Sequence, residues 1–126
     1  MKKILAAILA GLMALSMAAC GAAGSGTGDG SSKVYRVGII QLVTHDALDA
    51  ATKGFQDALT AELGEGSVKF DLQNAAGDSN TCATIVNSFV SNQVDLIMAN
   101  ATPALQAAAA ATADIPILGT SVTEYG

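Results

Sequence analysis

The chain has 126 residues, with 6 basic and 11 acidic groups; 13% of its residues are charged, 51% apolar and 4% aromatic. That length bounds it at one domain. With Lys2 and Lys3 set aside, 4 basic groups stand against 11 acidic ones, a net charge of −7, which excludes a nucleic-acid face built on clustered Lys and Arg. Two cysteines and a single histidine likewise exclude cysteine-ligated zinc and iron–sulfur proteins.

Met1-Lys2-Lys3 is a short cationic start, and Ile4 to Met17 follows without a charge, the order of a secretory signal peptide. The apolar run is shorter than the roughly 20 residues a membrane span needs. It ends in Leu15-Ser16-Met17-Ala18-Ala19-Cys20-Gly21, which resembles a lipobox, where cleavage precedes a lipid-modified cysteine; Met17 stands where leucine is commonest. The expectation is a lipoprotein signal peptide over residues 1–19, with lipid attached at Cys20. Residues 20–32 hold nothing that builds a core and are rich in Gly and Ser, the composition of a flexible tether. Their glycines lack the preceding strand that a phosphate-binding loop requires.

From Lys33 the pattern becomes regular. Val34 to Leu42 is β-branched and nearly continuously apolar toward its end, as in a strand buried on both faces. Ala47 to Leu63 places Leu48, Ala51, Phe55, Ala58, Leu59 and Leu63 at helical spacing, and Gly64 and Gly66 end it. Ser67 to Gln73 alternates apolar with polar, the mark of a strand near a sheet edge. Asn80 to Asn92 is a second helix, with Cys82 expected as a small buried side chain. Val94 to Ala99, Pro103 to Thr112 and Ile115 to Gly119 complete the series as strand, helix and strand. Four strands alternating with three helices imply an open doubly wound parallel α/β sheet, and the amphipathic second strand favours the order 2-1-3-4. The sequence given stops directly after the fourth strand, so residues 33–126 are expected to be a truncated part of a larger lobe.

In such sheets ligands bind beyond the carboxyl ends of the strands. Four loops qualify: Val43 to Asp46, Asn74 to Ser79, Asn100 to Pro103 and Gly119 to Thr123. Helix capping accounts for part of their polarity. Asp46 with Asp49 approximates a capping box, Asp78 or Ser79 suits the second helix, and Thr102 before Pro103 suits the third. Capping does not account for His45, or for the hydroxyls of Thr120, Ser121 and Thr123. Helix N-terminal amides beside hydroxyls suit an anion, and the lack of Lys or Arg in all four loops points to one carboxylate rather than a polyphosphate. No nucleophile elbow is present and no second histidine exists for a metal, so neither enzymatic activity nor a cofactor is expected.

Gln41-x-x-x-His45-x-Ala47-Leu48-Asp49 resembles the first strand and ligand loop of the substrate-binding lipoproteins of ABC importers, in the tryptophan/tyrosine-binding group. The resemblance continues through Lys53-Gly54-Phe55, Asn74-Ala75-x-Gly77-Asp78, Ala101-Thr102-Pro103-Ala104-x-Gln106, Ile115-Pro116-Ile117 and Ser121-Val122-Thr123, covering the domain from about Val34 onward. Glu124-Tyr125 departs from the Asp-Pro often found there. The resemblance implies a type 1 periplasmic-binding fold of two lobes, of which this chain holds the N-terminal part of the first. It further implies a protein exported and lipid-anchored at the outer face of the cytoplasmic membrane, handing a small ligand, an aromatic amino acid, to a permease with a cytoplasmic ATPase. By the same resemblance Thr44, His45, Leu48 and Asp49 line the pocket from the first loop, Ala101 and Thr102 from the third helix, and Ser121, Val122 and Thr123 from the fourth strand. Half of one lobe is expected to bind weakly or not at all. Related receptors of this fold take branched amino acids, sugars or nucleosides. The competing class, a response-regulator-like signalling domain, needs an acidic cluster after the first strand and an acceptor aspartate after the third; Gln41-Leu42-Val43 and Met98-Ala99-Asn100 stand there instead.

Overall fold

The computed structural model describes residues 32–123. The signal segment, Cys20, nearly all of the tether, and Glu124 to Gly126 therefore lie outside the described residues. Seven elements follow in chain order: β1 (Tyr35–Gln41), α1 (Asp46–Leu63), β2 (Val68–Asn74), α2 (Ser79–Ser91), β3 (Leu96–Asn100), α3 (Thr102–Ala111) and β4 (Ile117–Thr120). The strands form one sheet in the order β2-β1-β3-β4, parallel at every pairing. The alternation in β2 had pointed to an edge strand, and it lies at an edge. Among the described residues no helix is long and apolar enough to cross a membrane.

Successive side chains of a strand point to opposite faces, so the central strands feed two cores. Ile40, Ile97 and Ala99 pack with Cys82, Val86 and Phe89 of α2 and Ala104 and Ala108 of α3. Val37, Ile39 and Met98 pack with Phe55 and Leu59 of α1, and Phe55 meets Phe70 of β2 edge to face at 6.4 Å. The first core rests on a close approach. A Cβ at Gly38 would lie 2.7 Å from the Phe89 ring, so only glycine lets α2 sit this near β1. Burial in this core pushes the Cys82 thiol up, with Asp78 adding to the effect.

Two strand starts differ from the sequence reading by two residues. The fourth strand begins at Ile117, two residues late, because Pro116 has no N–H to give the ladder and contributes only its carbonyl, which accepts from Ile97 N at 3.0 Å. The third begins at Leu96, because Asp95 is occupied at the mouth of the sheet. Its carboxylate accepts from Arg36 N at 2.9 Å and pairs with Lys33 at 2.9 Å. The Arg36 amide first, and the Lys33 ammonium second, hold that carboxyl below its ordinary range.

Candidate ligand-binding site

Along the α1 side of the sheet, register places Leu72, Ile39, Met98 and Leu118 in one apolar row across all four strands. Two residues further on, the row reads Asn74, Gln41, Asn100 and Thr120. Both central members of this polar row are buried, Gln41 at 4% and Asn100 at 0% exposure, where alternation with Val37, Ile39, Leu96 and Met98 would place apolar side chains. The change from apolar to polar marks the carboxyl edge of the sheet, the side on which open α/β layers bind ligands.

The buried amides are joined through Thr52 of α1, itself 3% exposed. Asn100 Nδ2 donates to Leu48 O at 2.8 Å and to Thr52 Oγ1 at 2.9 Å. The Thr52 hydroxyl donates to Gln41 Oε1 at 2.7 Å, and Gln41 Nε2 donates to Val43 O at 2.9 Å and to Asp49 Oδ1 at 2.5 Å. Because a backbone carbonyl can only accept, Leu48 O fixes which end of the Asn100 amide carries the hydrogens, and the remaining protons follow in one direction toward Asp49. Asn100 Oδ1 is buried without a partner, a condition that costs about 1–3 kcal/mol.

Helix capping at this edge also differs from expectation. His45, not Asp46, caps α1: its backbone is extended and its Nδ1 accepts from Ala47 N at 3.1 Å. That bond assigns the proton to Nε2. The shift moves Asp49 out of the capping-box position, one residue too deep to reach back to the cap, and its carboxylate turns to Gln41 instead. Asp78 caps α2 through Asn80 N at 2.7 Å, which decides between Asp78 and Ser79. In α3, Thr102 is the first helical residue rather than the cap. The cap position belongs to Ala101, which has no side-chain hydrogen bond to give and adopts φ 95°, ψ 157°, a region almost confined to glycine. The first turn of α3 therefore has no side-chain cap.

Other contacts hold the four loops at this edge. Ala101 N donates to Thr120 O at 2.9 Å, and Thr123 N approaches Thr102 Oγ1 at 3.4 Å. Leu42 N donates to Asn100 O at 3.2 Å, and Asn74 Nδ2 to Thr44 Oγ1 at 3.1 Å. Thr44, His45, Leu48 and Asp49 thus share the edge with Ala101, Thr102, Ser121, Val122 and Thr123. Thr44, His45, Asp49, Ser121 and Thr123 are exposed, while Leu48, Ala101, Thr102 and Val122 are half-buried, so the surface is an open shelf. Ser121 at φ 55° and Ala76 at φ 52° are further positive-φ non-glycine residues at this edge. Gln41, Thr52 and Asn100 were not among the residues that sequence reasoning assigned to the pocket, although Gln41 stood in its signature. A groove of about 210 Å³ lined by Tyr35, Leu59, Leu63, Asp95 and Leu96 lies at the other end, where β1 and β3 begin, remote from the shelf. Among the described residues no His, Cys, Asp and Glu cluster could hold a metal ion.

An open parallel layer with its polar groups gathered beyond the carboxyl ends of the strands is the architecture of a ligand-binding lobe. Residues 36–125 match the family described as ABC transporter substrate binding protein, and the chain belongs to that family, which is one of transport receptors rather than an enzyme class. It is 43% identical, over 98% of its length and 38% of the relative's, to a tyrosine-binding protein of Clostridioides difficile (strain R20291). Among solved structures it is 45% identical to a ligand-free, open substrate-binding protein with adhesive properties from Clostridium difficile, with a TM-score of 0.69 over 72% of this chain and 32% of that one. It is 38% identical to a domain from Streptococcus pneumonia solved in complex with L-Trp, with a TM-score of 0.69 over 73% and 32% of the two chains. A conserved domain protein from Vibrio cholerae superposes with a TM-score of 0.71 at 36% identity, over 73% and 32%. The chain spans about a third of the length of these relatives.

Proposed function

We propose that the chain is the opening part of an extracytoplasmic receptor that binds a free aromatic amino acid and delivers it to an ABC permease driven by a cytoplasmic ATPase. The observation that carries the ligand is the pairing of 43% identity to a tyrosine-binding protein with 38% identity to a domain solved with L-Trp. The shelf agrees with that chemistry. No Lys or Arg stands in its four loops, while the first turn of α3 has no side-chain cap and lies beside the Thr102 and Thr123 hydroxyls, an environment suited to a single carboxylate. Leu48 and Val122, both half-buried, supply apolar surface for a ring. Thr44, His45, Leu48, Asp49, Ala101, Thr102, Ser121, Val122 and Thr123 form this lobe's wall of the pocket. Export through the segment before Cys20, with lipid attached at that cysteine, places the receptor at the outer face of the cytoplasmic membrane.

The test is a thermal-shift screen of the complete receptor from Gly21 onward against the twenty amino acids, common sugars and nucleosides. A ligand at 100 times its dissociation constant stabilises by about 2.7 kcal/mol. Tyrosine, tryptophan or both are expected to raise the Tm while branched amino acids, sugars and nucleosides do not; a shift confined to one of those other classes overturns the aromatic assignment.

A further inference from the structure

Three buried polar groups in a row do not stabilise a core as well as apolar side chains of the same size, and one of these three leaves its oxygen unpaired. The arrangement has a direction, however. Asn100 donates to Thr52, Thr52 to Gln41, and Gln41 to Asp49 Oδ1, and the run ends on the one member that is exposed. Asp49 makes no ion pair among the described residues, and its second oxygen, Oδ2, has no hydrogen-bond partner among them. A carboxylate gripped through one oxygen and open at the other is an oriented acceptor. The surrounding edge carries Asp46 and Asp78 besides Asp49 and no cation, so the group it favours is positively charged.

We propose that Asp49 receives the α-ammonium group of the ligand through Oδ2, and that Gln41, Thr52 and Asn100 are positioning residues that hold its carboxylate for that purpose. This rests on the amino-acid reading above and deepens it: the uncapped turn of α3 takes the carboxylate, Asp49 takes the ammonium, and the receptor selects a zwitterion. Thr52 is the central joint, because its single hydroxyl both accepts from Asn100 and donates to Gln41.

The experiment compares, in the complete receptor, Kd values by calorimetry for L-tyrosine and L-tryptophan and for their counterparts lacking the amine, 3-(4-hydroxyphenyl)propionate and indole-3-propionate. In the unaltered receptor the amine is expected to improve affinity by about tenfold or more, the scale of a charge-assisted hydrogen bond. Asp49→Asn should remove most of that ratio by weakening both amino acids, while the amine-free acids, which bring no ammonium to the carboxylate, bind no more weakly than before. Thr52→Val should reduce the same ratio, and Thr52→Ser, which keeps the hydroxyl, should restore it; a merely structural role for Thr52 would weaken all four ligands alike. Should Thr52→Val fail to fold, Asp49→Asn on the exposed surface still decides the matter. An unchanged ratio in Asp49→Asn overturns this proposal and leaves the amino-acid reading standing, whereas an unaltered receptor that binds none of the amino acids overturns both.

Discussion

Among the described residues, Ala101 is the non-glycine whose backbone departs furthest from what its side chain prefers. At φ 95° and ψ 157° its Cβ is in a region populated almost only by glycine, at a cost of about 1–3 kcal/mol. The strain is held by contacts on both sides: Ala101 N donates to Thr120 O, and its carbonyl accepts from Leu105 N at 3.0 Å. It lies where β3 hands over to α3, between the polar row and the uncapped first turn. Ala101→Gly relieves the strain but adds freedom to the unfolded chain, so the net gain in stability is expected to be about 1 kcal/mol, read from the urea midpoint of the complete receptor. A loss instead of a gain would mean that the methyl group packs well enough to offset its backbone.

At the scale of elements, the contact that fixes α2 against the sheet is Phe89 on Gly38. A methyl group placed 2.7 Å from the ring carbons cannot be absorbed by a rotamer change, since Phe89 is itself fully buried. Gly38→Ala is therefore expected to destabilise by about 1–3 kcal/mol, and Phe89→Leu in the same chain to recover part of that loss, both measured by denaturant unfolding. Additive losses in the double variant would show that the two residues do not compete for the same space. The types and order of the elements were legible in the sequence, because Val34 to Leu42 and Ala47 to Leu63 carry incompatible periods and the β2 alternation names an edge. The helix starts were less legible. Asp46 and Thr102 are good caps by residue type, yet the caps are His45 and Ala101, one residue earlier in each case, and a shift of one residue changes which side chain meets which amide. The polar row was hidden for a related reason. Gln41 and Asn100 keep the phase of Val37 and Ile39 and of Leu96 and Met98, but a polar residue after an apolar run reads as the end of a strand unless the register across strands is known. Of the candidate pocket, the four loops and their shared edge were visible, whereas the network behind Asp49 needed the packing of α1.

For the whole molecule, the decisive property of the shelf is that it is open. Thr44, His45, Asp49, Ser121 and Thr123 are exposed together, while receptors that hold small ligands bury most of the ligand surface between opposed walls. The relatives are about three times as long as this chain, length enough for a second wall. The apolar row on the α1 side gives a parallel indication: Ile39 and Met98 are covered by α1, but Leu72 and Leu118 at the two ends are about half exposed, so this layer has apolar surface to share. If Asp49 and the first turn of α3 meet the charged ends of the ligand, as proposed, the enclosure of the ring is left to an opposite wall. Residues 33–126 alone are therefore expected to bind L-tyrosine and L-tryptophan at least about a hundredfold more weakly than the complete receptor. Calorimetry on the two proteins measures this, with circular dichroism and a urea transition run on residues 33–126 so that lost binding is not mistaken for lost fold. Equal affinity in a folded piece would mean that this lobe holds the whole site and that closure of the receptor serves only its encounter with the permease.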